Sequence, residues 1–189
     1  SLERLGDPGE IRDRSASELS ALNAAPGGSA PERMPTLLDL LEGFGSRMDF
    51  NLELKVGLNA PYDGLEGRVF AEVEARGLLP RMLFSSFDDG VLARLRAVSS
   101  AARIAILVSP RAPSDVLGRA DRVGAEAVNP HCLLVASRWV SAAHEAGLAV
   151  YPYTANEVTE MERLLDTGVD SLITNYPARL RELVDSRDS

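Results

Sequence analysis

A strand–helix repeat is the feature of this sequence that most constrains its fold. Runs of strand type recur about every 22 residues from residue 81 onward, and a segment with helical periodicity separates each run from the next. Strands that alternate with helices through short connections are parallel, because antiparallel neighbours need only hairpins. A glycine suited to the left-handed end of a helix precedes four of the runs, at Gly77, Gly124, Gly147 and Gly168. The predicted strands are residues 49–56, 81–87, 103–108, 125–129, 148–154 and 169–174.

Two α/β architectures fit this repeat, a TIM-type (β/α) barrel and an open sheet. An open sheet would bind a nucleotide at its switch point, but the sequence has neither a G-x-G-x-x-G after a strand nor a P-loop. A leucine-rich repeat has a similar period, but its leucine and asparagine ladder is absent. We therefore predict a TIM-type barrel with about six of the eight βα units. Residues 1–189 would form a single domain, in which 1–35 connect and 36–189 hold the repeated units.

Charge and cysteine content narrow the classes of partner and compartment. The net charge of -8 disfavours nucleic acid or an anionic membrane as the main partner. Cys132 is the only cysteine, so no intrachain disulfide can form and no oxidising compartment is needed. The sequence has no apolar run of signal-peptide type and no transmembrane segment. We expect a soluble protein, with the cytoplasm favoured.

The strand predicted at 49–56 carries two neighbouring charges. Its apolar side chains alternate with polar ones, so Glu53 and Lys55 share the face opposite Leu52 and Leu54. Lys55 is the only lysine in a chain with nineteen arginines, which suggests a role for a compact ammonium group. In a barrel both side chains would point toward the catalytic mouth. A structural salt bridge and an accident of codon bias are the alternatives.

Several stretches of the sequence, in this order, resemble the glycerophosphodiester phosphodiesterase family. They are SLERLGDPGEIRDRSASEL, MPTLLDLL, NLELK, LFSSFDDGVLARL, AAHEAGLAVYPYTAN and TGVDSLITNYPARL, and together they span nearly the whole chain. The resemblance implies a TIM barrel of lipid metabolism that hydrolyses glycerophosphodiesters to glycerol 3-phosphate and an alcohol. It also implies a divalent cation, Ca or Mg, held by carboxylates.

The resemblance also implies roles for individual residues. Glu53 corresponds to a metal-binding glutamate, and Lys55 to the lysine that contacts the substrate phosphate. Phe87 and Tyr153 would line the mouth and bind the alcohol part of the substrate. Tyr153 stands where the family usually has tryptophan, and Asn175 where aspartate is more usual.

The family's two catalytic histidines and a pair of its metal-binding carboxylates would precede residue 1. The sequence therefore predicts either a fragment of an active enzyme or a family member with impaired catalysis. His131 follows the strand at 125–129 on the mouth side and is the candidate catalytic replacement, with a plain loop histidine as the alternative. A non-catalytic phosphodiester-binding or protein-interaction domain is the alternative function. Unpaired edges of an incomplete barrel would favour a homo-oligomer.

Overall fold

The structure is a computed structural model that describes residues 2, 5, 9–57 and 60–187. Parts of the predicted connecting segment and of the first family-like stretch lie outside these residues. The contacts divide the chain into two compact units. The first holds the residues up to Phe50 and Lys55–Met82, and the second holds Asn51–Leu54 and the residues from Leu83 onward.

The first unit is mostly helical. Ser15 and Thr36 each begin a helix with a capping box. The hydroxyl of the first residue accepts the backbone N–H of the residue three positions later, and the acidic side chain of that later residue accepts the backbone N–H of the first. Leu41, Phe70 and Val73 are its buried helical apolar side chains among those described. Its helices are α1 (Ala16–Ala21), α2 (Leu37–Phe44) and α3 (Leu65–Ala75), with 3₁₀ turns at Ile11–Asp13 and Leu79–Arg81.

The second unit is built on a sheet whose strands follow one another in sequence order. Strands β2 to β5 pair in parallel, and β1 lies beside β2. The strands are β1 (Phe50–Glu53), β2 (Met82–Ser86), β3 (Arg103–Val108), β4 (Ala127–Pro130) and β5 (Ala149–Val150). The helices that follow β2 are α4 (Asp89–Val98), α5 (Val116–Val123), α6 (Ser137–Glu145), α7 (Val158–Leu165) and α8 (Pro177–Arg187). The predicted α/β class is confirmed.

The sixth predicted strand, at 169–174, is reduced to one parallel bridge between Tyr153 and Ile173. Pro152 has no N–H to donate, which interrupts the ladder just after β5. The side chain of Asp170 accepts the Val150 N–H at 2.7 Å, where a regular ladder would use a backbone carbonyl. These two features weaken the pairing of β5 with the sixth predicted strand. On the β4 side, β5 ends at Val150, short of the predicted 148–154, because Pro130 has no N–H to donate to it, although the Tyr153 N–H still donates to the Pro130 carbonyl at 2.9 Å.

Left-handed glycines end the repeated units as the sequence predicts. Gly77, Gly124, Gly147 and Gly168 have φ angles of 66, 61, 76 and 83°. A residue with a Cβ is strained in this conformation, so glycine allows the chain to leave each helix and enter the next extended segment.

The two faces of the strands pack differently. One face is buried and largely apolar, and α4, α5 and α6 contribute to its packing through contacts with β3 and β5. On the other face Leu83, Ala105 and Ala127 form a smaller cluster with Ala149 and Tyr151 against it. None of the helices in the described part of the chain has the length and hydropathy needed to cross a membrane.

Candidate functional site

A cavity of about 300 Å³ lies at the carboxyl ends of the strands in the second unit. Because parallel strands all end at the same edge, residues that are far apart in sequence meet there. The cavity is lined by residues at or just after the ends of the strands and by the bridge residue Ile173. They are Asn51, Glu53, Ser85, Phe87, Leu107, Asn129, Tyr153, Thr154 and Ile173.

Glu53 is the last residue of β1 and lines this cavity, on the face that the alternation predicts. The next residue fixes the strand end to β2, since the Leu54 N–H donates to the Ser85 carbonyl at 2.7 Å. The buried Ser86 hydroxyl donates to the Leu54 carbonyl at 2.7 Å and accepts the Asp88 N–H at 3.2 Å. Both the N–H and the carbonyl of Leu54, the residue that follows Glu53, are therefore fixed to β2.

Phe87 and Tyr153 form the aromatic side of the cavity. Their ring centroids are 5.8 Å apart in an edge-to-face arrangement, and Phe87 is 45% exposed. The Tyr153 hydroxyl donates to the Val108 carbonyl at 3.1 Å, which fixes the ring. Burial, then the negative charge of Glu53, raises the pKa of Tyr153, so the phenol stays protonated at neutral pH. The sequence-predicted pair is thus brought together with Glu53.

A second cavity of about 200 Å³ shares Phe87 and Leu107 with the first. Its other lining residues are Ser109, Ala112, Ser114 and Arg119. The Arg119 guanidinium makes a bidentate pair with Asp89 that includes an Nη2–Oδ1 distance of 2.8 Å. The hydrogen bonds that Arg119 donates to the Asp89 carboxylate raise the pKa of Arg119. This cation is therefore tied to the start of α4.

His131 has a local structural role beside the cavity. Its Nδ1 accepts the Leu133 N–H at 3.2 Å and so begins the 3₁₀ turn Cys132–Leu134. Its ring lies edge-on to the Tyr153 ring, with centroids 5.5 Å apart. His131 is not one of the residues that line the cavity. Its proposed part in catalysis stays a prediction.

Lys55 follows β1 by two residues and is exposed. By its contacts it belongs to the first compact unit, whereas Glu53 belongs to the second. Lys55 is not among the residues that line the cavity. The predicted contact with a substrate phosphate therefore rests on the sequence resemblance.

Asn129 is a cavity residue that the sequence analysis did not single out. Its side chain is fully buried, and neither amide atom has a hydrogen-bond partner among the residues that the structure describes. The signal was present in the sequence, because a polar asparagine ends the run AEAVN, which predicts a strand of the parallel sheet.

The cavity offers few ligands for a metal ion. No three His, Cys, Asp or Glu side chains cluster as a metal site within residues 9–57 and 60–187 or at positions 2 and 5. Glu53 contributes one carboxylate to the lining, and Asn51 and Asn129 contribute amide oxygens. Calcium takes about six to eight oxygen ligands and magnesium about six. The described residues therefore do not make a complete site for either ion.

Comparisons with known proteins identify relatives for nearly the whole chain. A sequence model of the glycerophosphoryl diester phosphodiesterase family matches residues 1–179. A glycerophosphodiester phosphodiesterase of Caldanaerobacter subterraneus is 28% identical over 162 residues, which are 82% of this chain and 63% of that protein. One of Bacillus subtilis is 25% identical over 191 residues, with 89% of this chain and 64% of that protein covered. The chain thus spans less than two thirds of either relative.

Solved structures share the fold. A phosphodiesterase of Oleispira antarctica, in complex with the product sn-glycerol-3-phosphate, has a TM-score of 0.78 and 28% identity. The match covers 97% of this chain and 76% of that one. A proposed glycerophosphodiester phosphodiesterase of Galdieria sulphuraria has a TM-score of 0.83 and 25% identity, over 94% and 72% of the two chains. These likenesses confirm the predicted class, an α/β fold that forms part of a TIM-type barrel.

Proposed function

This chain belongs to the glycerophosphoryl diester phosphodiesterase family, and on that premise we propose that it hydrolyses glycerophosphodiesters to glycerol 3-phosphate and an alcohol. The observation that carries this proposal is the cavity at the carboxyl ends of the strands, with Glu53 in its lining. Barrel enzymes place their active sites at this end of the strands. A relative of similar fold is a phosphodiesterase in complex with sn-glycerol-3-phosphate.

The lining divides into a polar part and an apolar part that suit the two ends of such a substrate. Glu53, Ser85 and Asn129 supply polar groups for the glycerophosphate end. Phe87 and Tyr153 would pack against the alcohol part of the substrate. The second cavity, which shares Phe87, gives this part further room. Ordered aromatic rings contribute apolar contact at a small cost in conformational entropy.

The proposed reaction adds water across one phosphoester bond. The water oxygen bonds to phosphorus, the bond between phosphorus and the alcohol oxygen breaks, and the alcohol leaves with a proton. In this proposal the fixed aromatic pair and the strand ends orient the diester, so that the bond to be broken is held in one place. Orientation of this kind is a function that the described residues can perform by themselves.

Glu53 places a carboxylate in a cavity that is proposed to bind an anion. Two negative charges at close range repel unless a cation lies between them. We therefore propose Glu53 as one ligand of a divalent cation, Ca or Mg, whose other protein ligands would come from outside the described residues. The phosphate contact proposed for Lys55 would offset charge in the same way, and it rests on the resemblance alone.

Non-catalytic binding of phosphodiesters is the second candidate function. It is favoured by the incomplete set of metal ligands among the described residues and by the position of His131 outside the cavity lining. An imidazole that caps a turn through Nδ1 has one nitrogen fewer for proton transfer. Binding without turnover would distinguish this candidate from the first.

The edges of the sheet support a separate proposal about assembly. β1 is at one end of the strand order in the described sheet, and an edge strand can pair with another chain. We propose pairing with a second copy of the chain, and sedimentation analysis of the full chain would detect it as a dimer. A monomer at all concentrations would contradict this proposal.

The experiment that tests the proposed function measures glycerol 3-phosphate release from glycerophosphocholine by the full chain. Ca or Mg is added in one series and a chelator in another. Glu53→Gln keeps the shape of the side chain and removes its charge, so we expect a loss of turnover of about a hundredfold or more. Glu145→Gln is the matched control, because Glu145 is exposed at the end of α6 and does not line the cavity.

Each outcome separates the two candidates. Turnover that needs the cation and is lost only in Glu53→Gln supports hydrolysis. Binding of glycerophosphocholine without turnover supports the non-catalytic candidate. A folded chain that neither binds nor hydrolyses the diester contradicts both.

A further inference from the structure

The unpartnered amide of Asn129 is unusual because the side chain is fully buried. Both Oδ1 and Nδ2 are inaccessible to solvent and have no hydrogen-bond partner within the described part of the chain. Leaving a buried amide unpaired lowers stability, and native proteins avoid it unless a ligand or ordered water completes the bonds. Asn129 lines the cavity at the strand ends, so its missing partners can enter there.

The side chains nearest to Asn129 on the same face of the sheet do not hydrogen-bond to it. Leu107 lies opposite it on β3, and Ala127 precedes it on the same face of β4. Neither side chain can donate or accept a hydrogen bond. His131 follows on that face, but its Nδ1 already accepts the Leu133 N–H. On β5 the register continues to Tyr151, whose hydroxyl makes no hydrogen bond to the Asn129 amide. The cavity that Asn129 lines is therefore a side from which a partner can approach.

The chemistry of the amide selects the kind of group that would bind. Oδ1 accepts hydrogen bonds and Nδ2 donates them, so a partner must do both to satisfy the side chain. A phosphate diester oxygen can only accept, and a metal ion would engage only Oδ1. Two adjacent hydroxyl groups can donate to Oδ1 and accept from Nδ2.

We infer that Asn129 binds the two adjacent hydroxyl groups of the glycerol part of the substrate. This inference rests on the proposed function and deepens it, because it assigns to Asn129 the selection of glycerol phosphodiesters over esters of simple alcohols. A site built to bind a hydroxyl group discriminates against an analogue that lacks it, since the buried polar group is then left unpaired.

The test compares two probes that share a phosphate monoester and differ in their hydroxyl groups. Calorimetric titration of the full chain with sn-glycerol 3-phosphate and with ethyl phosphate gives the ratio of their dissociation constants. We expect the wild type to prefer glycerol 3-phosphate by about tenfold or more. Asn129→Leu, which has the same number of side-chain heavy atoms and no polar atom, should bring the ratio close to one and keep the affinity for ethyl phosphate.

Two further variants control this result. Asn156→Ala removes an amide outside the cavity lining, where Asn156 accepts the Asn175 N–H, and should keep the wild-type ratio. Without ligand, Asn129→Leu should melt at or above the wild-type temperature, because replacing an unpaired buried amide by an apolar group removes a penalty. Asn129→Ala replaces Asn129→Leu if the larger side chain prevents folding.

The outcomes distinguish this inference from the proposed function. Equal wild-type affinities for the two probes overturn the hydroxyl assignment and leave phosphoester binding intact. If Asn129→Leu weakens the binding of both probes equally, the hydroxyl assignment is also overturned, because the amide would then contact the phosphate or a cation. A wild type that binds neither probe overturns the proposed function, and the inference fails with it.

Discussion

The two faces of the same strands show how this chain separates stability from ligand contact. Toward the helices, Phe84, Ile106 and Val128 are fully buried. On the opposite face, one residue further along each strand, stand Ser85, Leu107 and Asn129, which line the cavity. Because side chains alternate along a strand, neighbouring residues perform different tasks. Substitutions at adjacent positions can therefore test the two faces separately.

The largest effect on stability is expected from Ile106→Ala. This side chain is fully buried on the helix-facing side, and its truncation should lower the free energy of unfolding by about 2–5 kcal/mol. Leu107→Ala, at the next position, removes apolar surface that borders two cavities, so the loss of stability should be smaller. Urea unfolding measures both values. An equal or larger loss in Leu107→Ala would contradict the distinction between the faces.

A second pair of adjacent residues, Phe87 and Asp88, lies in the turn after β2. Here the expected change in the free energy of unfolding is about 1 kcal/mol. Asp88 begins α4 by accepting the Val91 N–H at 2.9 Å, and Asp88→Ala should cost about that much stability. Phe87→Ala removes a half-exposed ring from the cavity and should weaken glycerophosphocholine binding, with stability nearly unchanged. Thermal melts and titrations of the two variants measure both effects. Unchanged glycerophosphocholine binding in Phe87→Ala would contradict the assignment of the cavity as the binding site.

The smallest expected effect is the acid sensitivity of the contact between Asp170 and the end of α6. Burial raises the pKa of Asp170, but the hydrogen bonds with His144, at 2.9 Å, and with the Val150 N–H outweigh it and hold the pKa below the ordinary 3.8. A carboxyl with a lowered folded-state pKa stabilises the fold above its unfolded pKa, and this contribution is lost as pH falls through the folded value.

Asp170→Asn should therefore be less stable than the wild type at pH 6, and the difference should shrink below about pH 4. Unfolding by urea at pH 6 and at pH 3 measures it. Asp185→Asn serves as the control, since Asp185 is an exposed residue of α8. A difference that is constant across this range would show that the Asp170 charge does not contribute.

The sequence predicted the features that depend on local chemistry. Glycine positions predicted the helix ends, and the alternation around Glu53 placed that side chain on the cavity face. Two features depend on distant residues and were not predicted. The Asp170 carboxylate takes the place of a backbone carbonyl beside β5, and the unsatisfied state of Asn129 depends in part on Leu107, which lies opposite it on β3 only after folding.

The contacts that individual side chains make after folding could not be predicted from the sequence either. The sequence predicts His131 on the mouth side, but its use of Nδ1 to begin a 3₁₀ turn depends on the local backbone path. The position of Tyr153 against Phe87 follows from a hydrogen bond to Val108, 45 residues earlier. Neither contact leaves a pattern in the sequence.

A crystal structure of the full chain with sn-glycerol 3-phosphate would test the central claim most directly. We expect the ligand in the cavity at the strand ends, with its hydroxyl groups at Asn129 and its phosphate on the Glu53 side. A ligand bound elsewhere, or a cavity that stays empty at saturating ligand concentration, would contradict the account.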